Sequence, residues 1–138
     1  MKLVQLLYFS RASREMSLAD LKSVLESARK NNTNLEVSGM LCYDRRYFLQ
    51  ALEGERDVVN ELYLDIADDP RHDEVTIISY RNVEKLSFEQ WKMGYASSSA
   101  EFNKLLHEMG QQEFLPDEMS EEQAFHFLTH MSKSQQEL

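Results

Sequence analysis

The chain has 138 residues and a formal net charge of −9 at pH 7. That length suits one domain with a proper core, and the charge argues against binding nucleic-acid backbones or anionic membranes. No apolar run approaches the ~18 residues of a membrane span. Met1 to Tyr8 is too short and too strand-like for a secretion signal, and the single cysteine, Cys42, excludes an internal disulfide and fits a reducing cytoplasm.

Leu3 to Phe9 reads as a first strand, with Val4, Leu6 and Tyr8 on one face and Leu3, Leu7 and Phe9 on the other. Ser10 to Met16 is polar and reads as a loop. Ser17 with Asp20 makes an approximate capping box, and Leu18, Leu21, Val24, Leu25 and Ala28 then recur at helical spacing. Asn31 to Asn34 reads as the helix end, because asparagine tolerates left-handed backbone. Leu35 to Tyr43 is a second strand. Gly39 inside it lacks a side chain, which lets something approach the backbone. Asp44-Arg45-Arg46 has the length of a hairpin link.

Tyr47 to Glu55 is the third strand. Phe48, Gln50 and Leu52 share one of its faces, and Tyr47, Leu49 and Ala51 the other. Neither face is polar, so the strand is expected to be buried on both sides. Gln50 is then an amide among apolar neighbours. Something polar, protein or ligand, must face it.

Glu55 to Asp68 reads as a second helix with Val58, Val59, Leu62, Tyr63 and Ile66 on its apolar face. Asp69-Pro70-Arg71-His72 breaks it, and Val75 to Arg81 is a fourth strand. The order is β-α-β-β-α-β, an α+β, ferredoxin-like arrangement with two helices on one face of a mixed sheet. Met93 to Ala96 supplies a short fifth strand. Phe102, Leu105, Leu106 and Met109 form a helix stopped by Gly110, and Phe114-Leu115-Pro116 is a linker. Ser120 with Gln123 caps a last helix carrying Ala124, Phe127, Leu128 and Met131. These two helices need a surface, and the open face of the sheet is the natural one. The chain divides into residues 1–98 and a two-helix extension, 99–138, with a polar tail from Ser132 to Leu138.

The four histidines have no metal-ligand spacing with Cys42, so no metal site is expected and Cys42 reads as packing. Tyr8, Gln50, Trp91 and Met93 come from three strand-like pieces. Lys30-Asn31-Asn32 should lie above the sheet face that holds Gln50. Amides that both donate and accept, framed by apolar side chains, suit the edge of a planar heterocycle. Two other readings stand beside this one. A small phosphatase of the acylphosphatase kind would need a backbone anion cradle, for which Ser10 to Arg14, lacking glycine, is the only candidate. A pure interaction module would use Tyr8 and Gln50 as packing.

The chain resembles the BLUF family of blue-light sensors that use flavin. The match rests on Leu7-Tyr8-Phe9-Ser10, Ala28-Arg29-Lys30-Asn31-Asn32, Val37 to Tyr43, Phe48 to Glu55, Asp69-Pro70-Arg71-His72 and Phe88 to Met93, in order and with family-like gaps. It covers about the first hundred residues. The remainder resembles the two-helix tail of short stand-alone members.

The resemblance implies that Tyr8 is the photoactive tyrosine and that Gln50 bridges it to the flavin ring. It implies that Asn32 bonds the ring's polar edge beside Asn31, and that Trp91 and Met93 are tied to signalling. Val24, Leu41, Phe48 and Ile66 would line the ring. Lys30, Asp69, Arg71 and His72 would lie toward the ribityl and phosphate end. Ala28 stands where a serine is often found, and Asp65 where a basic residue can occur; the latter leaves FAD or FMN open, with FAD expected. A cytoplasmic photoreceptor with no enzymatic activity of its own follows. It would form homo-oligomers and signal to a light-dependent protein partner.

Overall fold

The computed structural model describes residues 2–134. In chain order the elements are β1 (Leu3–Ala12), α1 (Leu18–Leu35), β2 (Ser38–Asp44), β3 (Tyr47–Glu55), α2 (Arg56–Ala67), β4 (His72–Asn82), β5 (Gly94–Ser97), α3 (Ala100–Glu108) and α4 (Glu121–Ser132), with a 3-10 turn at Pro116–Glu118 before α4. The five strands lie in the order β4-β1-β3-β2-β5. The first four pair antiparallel, and β5 joins β2 in parallel, so the sheet is mixed as expected.

Both faces of the sheet are covered, and strand alternation decides which residues meet which helices. Val4, Leu6, Tyr8, Leu41, Phe48 and Leu52 face α1 and α2, where Leu21, Val24, Leu25, Val59 and Leu62 meet them. Leu7, Met40, Cys42, Leu49 and Ala51 face the C-terminal helices and pack on Phe102, Leu105, Leu106, Phe127, Leu128 and Met131. Cys42 is therefore core packing, and the two late helices occupy the face proposed for them. Each large apolar side chain buried this way contributes about 1.5–3 kcal/mol. That is what holds α4, which is too short to be a stable helix alone.

The helix starts follow the caps. Ser17 Oγ accepts from the Asp20 N–H at 3.1 Å, and the Asp20 carboxylate accepts from the Ser17 N–H at 3.0 Å. Ser120 and Gln123 repeat the box at 3.1 and 3.0 Å. The helix end differs from expectation. α1 runs through the asparagines to Leu35, and it is Glu36, at φ 56°, that takes the left-handed turn and donates back to the Asn32 carbonyl. The second strand consequently begins at Ser38 rather than Leu35, which is 42% exposed. β1 likewise continues past Phe9 to Ala12, because Arg11 pairs with Tyr47 of β3 and Ala12 with His72 of β4. β4 correspondingly starts at His72, inside the expected break. Phe114 is not a linker residue but part of the second core, in ring contact with Phe102 at 5.1 Å. Of the polar tail expected over Ser132 to Leu138, Ser132 closes α4 and residues 135–138 lie outside the described residues.

What approaches Gly39 is the neighbouring strand. A Cβ at this position would collide with the Ala51 carbonyl oxygen and come within 3.1 Å of Met93 Cε. Backbone cannot yield as a flexible side chain can. Gly39→Ala is therefore expected to cost about 1–3 kcal/mol, read as a lower urea midpoint; an unchanged midpoint would mean that β2 shifts freely against β3.

Candidate functional site

The register of β1 against β3 sets Tyr8 directly opposite Gln50, and the register of β2 against β3 sets Leu41 on Gln50's other side. Directly paired residues share a face, so all three point toward α1 and α2. Tyr8 is fully buried, and its hydroxyl donates to Gln50 Oε1. Gln50 Nε2 turns the other way and donates to Met93 Sδ at 3.3 Å. A thioether is a weak acceptor. The buried amide thus has one strong partner, Tyr8, and one weak one.

Around this pair the site is apolar with polar ends. Tyr63 of α2 meets the Tyr8 ring edge-on at 5.5 Å. Val24, Leu41 and Phe48 are buried in the same cluster, with Ala28 and Ile66 half-buried against it. Burial pushes the Tyr8 phenol well above its usual range, with Tyr63 and Asp69 adding to the shift. The phenol is therefore protonated near neutral pH. Asn32, at the last turn of α1, is buried, and its Nδ2 donates to the Lys92 carbonyl just ahead of β5. Arg29 Nε reaches the Met93 carbonyl at 3.1 Å. Two α1 side chains thus hold the segment that delivers Met93.

At the far end of the face, Asp69 and Arg71 form a fork, with Arg71 Nη2 to Asp69 Oδ2 at 2.6 Å and Arg71 Nε to Asp69 Oδ1 at 3.0 Å. The Arg71 guanidinium holds the Asp69 carboxyl below the usual range. His72 Nδ1 lies 2.7 Å from Ser10 Oγ, and its ring packs on Phe48 at 4.8 Å. Burial pushes the His72 pKa down, so near neutral pH the ring is uncharged.

Not every expected residue joins this group. Asn31 and Lys30 are exposed. On a helix, neighbours in sequence point in different directions, and burying Asn32 turns both outward. Trp91 is half-buried and belongs to neither core cluster, whereas Met93 is 2% exposed and touches Gln50. Met93 therefore faces the Tyr8–Gln50 pair in this structure. Two contributors lay outside the expected site. The sequence places Tyr63 only on the apolar face of α2 and gives Arg29 no role. A tyrosine on an otherwise apolar helix stripe is the signal, because its hydroxyl seeks a polar partner. A cavity of about 940 Å³, lined by Arg11, Arg14, Arg45, Arg46 and Phe114, lies at the end of the sheet and contains none of the residues expected around a flavin. Among the described residues no group of acidic, histidine or cysteine side chains could hold a metal, and no helix is long and apolar enough to cross a membrane.

The family model described as "Sensors of blue-light using FAD", BLUF, matches residues 3–94. The chain belongs to the BLUF family. The BLUF match takes in the site from Tyr8 to Met93. Photoactivated adenylate cyclase subunit beta of Euglena longa is 34% identical over 96 residues, which are 69% of this chain and 11% of that protein. The corresponding subunit of Euglena gracilis is 41% identical over 76 residues, 55% of this chain and 9% of the relative. The chain thus spans about a tenth of the length of these curated relatives. Among solved structures, the BlsA photo-activated state superposes with a TM-score of 0.91 at 29% identity, covering 99% of both chains. The BLUF protein BlrB in its dark state gives 0.80 at 27% identity, covering 96% of this chain and 97% of that one. The BLUF family is one of blue-light sensors that use flavin.

Proposed function

We propose that this chain is a blue-light receptor in which Tyr8 and Gln50 form the photoactive pair and FAD is the bound flavin. The observation that carries the reading is the Tyr8–Gln50 hydrogen bond, with the opposite end of the amide resting on the Met93 thioether. The donor set fits a flavin. Gln50 has an N–H whose present acceptor is weak, Asn32 is a second buried amide, and Val24, Leu41, Phe48 and Ile66 are flat apolar surfaces for a ring. Asp69, Arg71 and His72 are the polar groups proposed for the ribityl and phosphate end, with Lys30 and Asn31 at the solvent side.

The flavin, when bound, supplies the blue-absorbing ring and the electron acceptor. Tyr8 would be the electron donor, and its phenolic proton has Gln50 Oε1 as the adjacent acceptor. Gln50 would be the group that changes orientation or tautomer, exchanging its donor and acceptor ends while Tyr8 keeps its proton in the final state. A buried amide with two hydrogen-bond patterns of similar energy is a two-state element. Stronger donation to the ring edge lowers the excited state more than the ground state, so absorption moves to the red.

Residues 1–98 are proposed as the sensor and 99–138 as the output layer. Met93 and β5 carry the change, and a light-dependent protein partner, read in the cytoplasm, receives it. A net charge of −9 favours a protein over a nucleic acid as that partner. The accompanying proposal of a homo-oligomer is checked by light scattering.

The test is reconstitution. Purified protein should carry FAD or take it up, and chromatography of the released chromophore identifies it. Protein that binds neither FAD nor FMN overturns the reading. Asn32→Ala should weaken flavin retention, because it leaves polar edges unpaired at about 1–3 kcal/mol each. A flavin Kd equal to the parent's would remove Asn32 from the site.

A further inference from the structure

Glu53 is, among the described residues, the only buried acid, with 0% exposure. Three N–H donors converge on it. The Phe88 amide reaches Oε1 at 2.7 Å; the Ser87 amide and Gln5 Nε2 reach Oε2 at 2.9 and 2.7 Å. Glu53 therefore ties the middle of the 83–93 connection, at Ser87 and Phe88, to β3, the central strand of the sheet. The same connection ends in Met93. Its later turns are held by the Trp91 N–H on the Phe88 carbonyl at 2.9 Å and by the Gly39 N–H on the Trp91 carbonyl at 3.1 Å.

The clamp also reaches α4. Gln5 Oε1 accepts from Arg81 Nη2 at 3.1 Å, and the Arg81 guanidinium lies over the Phe125 ring of α4, 5.3 Å from its centre. Phe88 meets the same ring edge-on at 6.4 Å. Phe125 is thus gripped by two residues, each bonded directly or through Gln5 to one carboxylate. Met93 connects to this cluster through its own short segment and to Gln50 through sulfur.

We propose that Glu53 is a positioning residue that couples the Met93 segment to helix α4 through Gln5, Arg81, Phe88 and Phe125. The inference rests on the photoreceptor reading, since rearrangement of Gln50 is what alters the Met93 contact. When Met93 loses its partner, the 83–93 segment is free to adopt a second packing. Glu53 fixes its middle at Ser87 and Phe88, so the displacement is delivered to the Phe88 and Phe125 rings and not dissipated along the rest of the loop. Packed interfaces move between discrete arrangements, which makes α4 the receiving element.

The test is hydrogen exchange across α4 in the dark and under blue light, with the flavin difference spectrum recorded on the same samples. Glu53→Gln keeps the shape but sets an amide NH2 against an N–H, so at least one of the three bonds is lost. Arg81→Ala removes an exposed side chain together with both its contacts, and it carries the test if Glu53→Gln fails to fold. In the parent, light should raise α4 exchange about tenfold, within the usual range of coupling between sites. Both variants should keep the red shift while the light-to-dark ratio falls below about twofold. A purely structural role would raise exchange equally in dark and light and leave the ratio unchanged, which overturns the proposal. So does a parent protein with a normal shift and no response in α4. A parent without any shift defeats the photoreceptor reading itself, a result the spectrum reports independently of exchange.

Discussion

Tyr8→Phe is expected to keep its flavin and to lose the light-induced red shift. The ring is fully buried against Tyr63, and phenylalanine preserves that packing. What disappears is the hydroxyl, and with it the donor to Gln50 Oε1. Gln50 is then left with only the weak sulfur contact and no adjacent proton source. Phenylalanine is also far harder to oxidise, so both halves of the transfer fail together. Because the lost group is a buried hydrogen-bond partner, the fold should weaken by about 1–3 kcal/mol, well short of unfolding. Absorption before and after illumination is the measurement. A shift of parental size in Tyr8→Phe would mean that another residue, with Tyr63 the nearest phenol, supplies the electron and proton.

Phe127→Ala is expected to cause the largest loss of stability, about 3–5 kcal/mol. Phe127 is fully buried between the sheet and the C-terminal helices. Its ring meets Phe102 edge-on at 4.9 Å and Phe114 at 5.7 Å, so one truncation empties the centre of a three-ring cluster. The surrounding helices are short, and little can collapse into the space. Against a total of about 5–15 kcal/mol for a domain, this should release the C-terminal layer. The Tyr8–Gln50 pair lies on the other face, so flavin and the spectral shift should persist at low temperature. A urea midpoint close to the parent's would show that α3 and α4 contribute little to the cooperative unit.

Much of this arrangement was legible in the sequence because it follows from period-two alternation and helix capping. The two faces of Tyr47–Glu55, the capping boxes at Ser17 and Ser120, and the side of the sheet that receives α3 and α4 all came from those rules. The pairing of Tyr8 with Gln50 came from the family resemblance, since register is a long-range property no local pattern encodes. The extension of α1 to Leu35 is not legible because three asparagines read as a terminus, whereas Asn31 and Asn34 point to water and Asn32 finds the Lys92 carbonyl. Whether Met93 or Trp91 turns inward depends on how Asn32 and Arg29 grip the preceding carbonyls, a tertiary matter. Glu53 was overlooked as a charge near a strand end. Alternation alone puts it on the face of Leu49 and Ala51, and a carboxylate there must be buried and fully bonded.

The most direct test of the central claim is one absorption spectrum of the flavin-loaded protein in the dark and again after blue light. A small red shift of the flavin band that reverses in the dark is the predicted result. A flavin spectrum unchanged by light, or bleached irreversibly, would contradict the assignment of Tyr8 and Gln50 as a working photoactive pair.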